Sequence, residues 1–166
     1  MKKLMTLLMT AALLAASFSC VTFPAQAAAD GTAHEIIVSK TTEYFEDGSS
    51  VTVIVTEEPS VQARSGEYTK SGSKHYVFSD EDNNELWRFT VNGTFTVVPG
   101  VGADCTKDSY DYDITDKSWH RQAAISYSSG NQAIGEGIFV KKFLTLITYK
   151  QEFKVTLSCD GDGNLS

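Results

Sequence analysis

Most of the residue patterns that announce chemistry are missing from this chain. Its three histidines, His34, His75 and His120, show neither HxH nor HExxH spacing, so they offer no metal-ligand pair. No GxSxG turn presents a nucleophile. Basic residues are short, with 14 Lys and Arg against 21 Asp and Glu. An acidic surface repels phosphate backbones, which argues against nucleic acid as a partner. No basic amphipathic stretch stands out for an anionic membrane. The three cysteines include no CxxC pair, the usual redox spacing. Past residue 23 there is no long apolar run and no helical period.

What is present begins with an address. Lys2 and Lys3 precede an uncharged apolar run from Leu4 to Phe23, and Ala25-Gln26-Ala27 follows as a small-x-small cleavage site. This order predicts a secretory signal peptide over residues 1–27 and a secreted, extracellular protein. Cys20 would be the anchor of a lipidated leader, but Ser17 stands where such sites carry Leu. Cleavage after Ala27 leaves 139 residues, with 12 basic against 21 acidic side chains and a net charge of −9. Cys105 and Cys159 then remain, and an even pair in an exported chain predicts a disulfide. Closing a loop of roughly 55 residues is worth about 4 kcal/mol by chain entropy alone.

The mature part repeats with period two. "EIIVSKTTEYF" and "SVTVIVTEE" flank "EDGSS", whose Asp47-Gly48 pair is a hairpin turn signal. Residues 35–45 and 51–57 are therefore expected to form a hairpin arm, ended by Pro59 and followed by the small, polar "PSVQARSGEYTKSGS" as a linker. The arm has three expected fates: packing on a sheet edge, adding a strand to a neighbour, or removal as a propeptide by clipping near Arg64. From Lys74 onward strands return. In "LWRFTVNGTFTVV", Trp87, Phe89, Val91, Gly93, Phe95 and Val97 share one face, and Arg88, Thr90, Asn92 and Thr94 the other. Gly135 and Gly137 in "QAIGEGIFV" predict a bulge or a close backbone approach. Phe153, Val155, Leu157 and Cys159 share the inward face of the last strand. About seven strands with turns every 8–12 residues predict an all-β, antiparallel two-layer β-sandwich, with a small β-barrel as the alternative. The expected organisation is a signal peptide (1–27), a hairpin and linker (28–66) and a sandwich domain (67–166).

The order of several short motifs resembles a group of uncharacterised small secreted proteins of Gram-positive bacteria. The resemblance runs over nearly the whole mature chain: the acidic-turn hairpin, "KSGSK", Trp87, Thr90, Gly93, Thr94 and Phe95 in "WRFTVNGTF", Cys105, Trp119, "SGNQA" with Gly130, Asn131 and Ala133, and the terminal Cys159, Gly163, Leu165 and Ser166. The chain departs from that pattern at "TVVPGVG" after Phe95. The resemblance implies export, a β fold and a disulfide, and it implies no activity.

Candidate sites are few. Asp160, Asp162 and Asn164 in the terminal "DGDGN" match the opening of a calcium loop, but Leu165 stands where that loop needs glycine and the sequence stops before a twelfth-position Glu. The same spacing in "DEDNNE" reads as a solvated turn. Asp111 and Asp113 fall on one strand face, roughly 7 Å apart by strand rise. Adjacent positions of one strand do not flank a glycoside from two sides, so they read as a charged edge or a ligand contact. Trp119 could stack a sugar, with His120 beside it. Neither a catalytic residue nor a cofactor is assigned. The expected function is a non-catalytic binding or interaction module at the cell surface or in the medium, with cell-wall glycan or a surface protein as partner. A bacteriocin-like effector and a hydrolase with an unrecognised site are the alternatives.

Overall fold

The computed structural model describes residues 35–59 and 66–166. The expected leader, His34 and the linker around Arg64 lie outside the described residues. Alternation of apolar and polar residues produces eight strands: β1 (Ile36–Tyr44), β2 (Ser50–Glu57), β3 (Tyr68–Ser79), β4 (Glu85–Val98), β5 (Gly102–Ile114), β6 (Trp119–Ser129), β7 (Gln132–Phe143) and β8 (Leu146–Ser158). No helix is present among the described residues, so none there is long and apolar enough to cross a membrane.

The strands form two antiparallel meanders. One sheet has the order β1-β2-β3-β4-β5 and the other β6-β7-β8. They share one core and do not close into a barrel, because no strand of one sheet pairs with a strand of the other. Strand β4 shows why the sequence folds this way. Trp87, Phe89, Val91, Phe95 and Val97 are fully buried, while the residues between them face outward. Phe139, Val155 and Leu157 meet them from the smaller sheet. Trp87 stacks on Phe153 at 5.1 Å and meets Phe139 edge-on at 4.6 Å between ring centroids, the offset and T-shaped geometries that aromatic quadrupoles favour.

The N-terminal hairpin is no detached arm. Strand β2 pairs with β3 along its whole length, and Val51 and Val55 enter the common core. Only β1 behaves as an edge, exposed at all nine positions. Period two gives the same reading for a free hairpin and for two more strands of a sheet, because it reports a buried face and not what buries it. Gly135 and Gly137 make the expected close approach without a bulge: a methyl on Gly135 would lie 2.3 Å from Val91 Cγ2, and one on Gly137 2.3 Å from the Phe153 ring.

The expected disulfide is not formed. Cys105 and Cys159 are both free thiols. Each sulfur turns to a local carbonyl, Cys105 to Lys107 at 3.4 Å and Cys159 to Asp160 at 3.6 Å.

Candidate functional site

The terminal octet is built as a turn. Asp160 accepts from the backbone N–H groups of Asp162 (2.9 Å) and Asn164 (2.8 Å) and from the Asn164 side-chain amide (2.8 Å). Those hydrogen bonds hold its carboxyl below the usual range. Three N–H donors thus already occupy this carboxylate. The β3–β4 loop repeats the arrangement, with Asp80 accepting from Asp82, Asn84 and the Asn84 amide. Asn83 there and Gly163 in the tail take the same left-handed backbone, with φ of 63° and 84°. One D-x-D-x-N loop therefore serves twice. In the tail it folds Leu165 back beside Cys159, where it is 4 % exposed and covers Gly72.

The four candidate ligand contacts separate. Trp119 is 3 % exposed and packs on Phe78 and Trp87, so its ring faces are part of the core. A strand-start tryptophan reads alike in sequence whether its face points in or out. His120 is exposed and lines a shallow hollow with Tyr112, Lys117 and Arg121. Asp111 and Asp113 do come together, on the outer face of β5, opposite Thr90 and Arg88 of β4.

That outer face of the larger sheet carries the densest arrangement of polar side chains. Directly opposite residues form rows across three strands: Ser73, Asn92 and Ser109; His75, Thr90 and Asp111; Val77, Arg88 and Asp113. Opposite residues on antiparallel strands share a face and touch. Ser73 donates to Asn92 Oδ1 at 2.8 Å, and the Asn92 amide donates onward to Ser109 at 3.3 Å. His75 sits between two hydroxyls, 3.0 Å from Thr90 Oγ1 through Nδ1 and 3.4 Å from Thr56 Oγ1 through Nε2. The Glu35 carboxylate is 3.8 Å from Nε2. Burial lowers the His75 pKa, Glu35 opposes that shift and Arg88 adds to it. Together these groups border a hollow of about 330 Å³. Sequence alternation already placed Arg88, Thr90 and Asn92 on this face. It could not show that β3 adds Ser73 and His75, which depends on register.

A hydroxyl, an imidazole and a carboxylate in series invite comparison with a hydrolytic triad. Thr90, His75 and Glu35 have those types, but the order alone does not stabilise an oxyanion. That takes free backbone N–H donors or equivalents. Here the N–H groups of β3 and β4 are engaged in the sheet ladder, and on the edge strand β5 the Tyr112 N–H donates to Asp111 Oδ1 at 2.8 Å. The arrangement suits recognition of hydroxyls, amides and charges by fixed side chains. No protein-family model matches the chain, no curated protein matches it, and no solved structure matches it.

Proposed function

We propose that this is a secreted, non-catalytic binding module whose ligand lies on the outer face of β3, β4 and β5. The observation that carries the reading is the row structure just described, Ser73–Asn92–Ser109 beside His75–Thr90–Asp111 and Arg88–Asp113. Short polar side chains on rigid strands lose little conformational freedom when they bind. Their pre-set donors and acceptors, flanked by both charge signs, suit a polyhydroxylated and amide-bearing polymer such as cell-wall glycan. The leader and the motif order of the sequence support export to where such a polymer is met.

Export also bears on the thiols. We propose that Cys105 and Cys159 are joined in the secreted protein. Their N–H groups donate to adjacent residues of one turn, Cys105 to Gly130 (2.7 Å) and Cys159 to Asn131 (3.0 Å). Both side chains pack on the same core cluster.

The test is sedimentation of the mature protein with washed bacterial cell walls. Saturable binding is expected, with Asn92→Ala and Asp111→Ala each weakening it about tenfold, the loss of one or two good hydrogen bonds. Unchanged binding by both variants would move the site elsewhere, and no binding by the parent protein would remove the glycan reading.

A further inference from the structure

The β7–β8 turn is exposed throughout. All ten residues from Lys141 to Lys150 are exposed, and among them are Phe143 (69 %), Leu144 (87 %), Leu146 (69 %), Ile147 (53 %) and Tyr149 (44 %). Residues 141–150 form a two-stranded tongue: past Lys141, which pairs with Tyr149, β6 gives no further strand partner, and the Lys142 N–H donates to the Ser118 carbonyl at 2.8 Å at its base. Opposite pairs place Phe143 with Leu146 and Lys142 with Ile147. The tip is Leu144-Thr145, and Leu144 holds φ at 57°. Elsewhere among the described residues positive φ falls on Gly48, Gly66, Asn83, Gly100, Gly130 and Gly163. Leucine there is strained, because its Cβ crowds the backbone. A strained apolar residue at the exposed tip of a turn marks that tip as a candidate contact surface.

Beside the tongue lies a hollow of about 270 Å³ with the opposite character. Phe78, Leu86, Trp119 and Tyr149 line it, and Asp47, Asp80 and Glu81 stand around them. Trp119 Nε1 is buried without a hydrogen-bond partner. Lys141 and Tyr149 belong to both features, so tongue and hollow share one end of the molecule. The tongue carries Lys141, Lys142 and Lys150 and no carboxylate, in a chain with 21 acidic residues. Lys150 is paired with Glu152, and Lys141 lies against the acidic rim of its own hollow, where it helps hold the Asp80 carboxyl low, which leaves Lys142 as the charge the tongue presents.

From this we infer that the tongue of one copy docks in the hollow of a second copy, and the reverse, in a two-fold dimer. An isologous contact requires complementary features on one surface, and an apolar basic tongue beside an acid-rimmed apolar hollow meets that requirement. Leu144 and Phe143 fill the apolar floor, and Lys142 faces Glu81 of the second copy. An anionic bilayer is the poorer occupant, because Asp47, Asp80 and Glu81 would be pressed against it with the tongue.

Charge exchange tests the docking directly. The chain lacking residues 1–27 is used, since the described strands form one unit around one core. Sedimentation velocity of the parent is expected to show a concentration-dependent dimer that weakens with salt. Lys142→Glu alone and Glu81→Lys alone should each raise the dissociation constant at least about tenfold, because like charges then meet in both halves of the contact. An equimolar mixture of the two variants restores opposite charges in both halves and should return the dimer to within about threefold of the parent. Leu144→Gly should abolish the dimer while leaving the thermal midpoint equal or higher, since the strain is relieved. A parent that stays monomeric at every concentration overturns the inference, and anionic vesicles that capture that monomer would identify lipid as the occupant instead. A dimer indifferent to both charge variants, or two variants that fail to rescue each other, overturns it equally.

Discussion

At the scale of single residues, the polar face depends on one partly buried imidazole. His75 has a pKa lowered by burial, with Arg88 adding to the shift and Glu35 partly opposing it. A histidine whose folded pKa lies below its unfolded value binds its proton later in the native state. Its contribution is complete above the unfolded value of about 6.5 and is lost as pH falls below it. The urea midpoint of the parent should therefore decline over that window more steeply than that of His75→Gln, measured by tryptophan fluorescence. Parallel pH profiles would show that His75 does not couple to folding. Alternation assigned the neighbours Arg88, Thr90 and Asn92 to this face from sequence alone, since period two is local. His75 needed the β3–β4 register, which sets Thr90 opposite it.

At the scale of elements, small residues decide how closely strands and tail approach. Gly72 of β3 lies opposite Gly93 of β4. A methyl on Gly72 would sit 2.4 Å from the Thr56 carbonyl oxygen and 2.3 Å from Leu165 Cδ1. The first is backbone of a paired strand and cannot step aside. Gly72→Ala should thus cost about 1–3 kcal/mol in denaturant unfolding, while Gly102→Ala, with nothing within 4 Å, should stay within about 0.5 kcal/mol. Equal effects would mean that neither the Thr56 carbonyl nor Leu165 lies close over Gly72 in solution. The turn chemistry of the tail was readable beforehand, because Asp and Asn accept and donate to backbone two to four residues on. Its destination over β3 was not, because nothing near Leu165 in sequence points to Gly72.

At the scale of the whole molecule, the two sheets are held by one core and by a few polar ties. Lys74, on the inner side of β3, donates to the Thr156 carbonyl of β8 at 2.9 Å, and burial lowers its pKa. Arg121 of β6 donates to the Tyr110 hydroxyl of β5 at 3.2 Å, while within the larger sheet Lys70 of β3 pairs with Glu57 of β2 at 2.6 Å. The proposed disulfide would add a covalent tie between β5 and the end of β8. Secreted protein should then be lighter than its reduced form by two hydrogens in intact mass, and more stable by about 2–4 kcal/mol. In the reduced form Cys159 is buried and its thiol is pushed up to about 11. It should resist alkylation near pH 8 until the protein unfolds, because the thiolate is the reactive species. Rapid labelling of the native reduced protein would contradict that burial.

The sequence by itself determined the strand content, the inward faces of β4 and β8, the two acidic loops and the expectation of export. Each is a property of a few neighbouring residues: alternation, turn chemistry or a charged apolar leader. Only the tertiary structure decided that the first hairpin joins the larger sheet, that Trp119 is core, that Asp111 and Asp113 border one hollow with His75, and that a basic apolar tongue adjoins an acidic hollow. These depend on strand register and on which face meets which, and such long-range pairings are set by the packing of the whole core, with no local pattern to announce them.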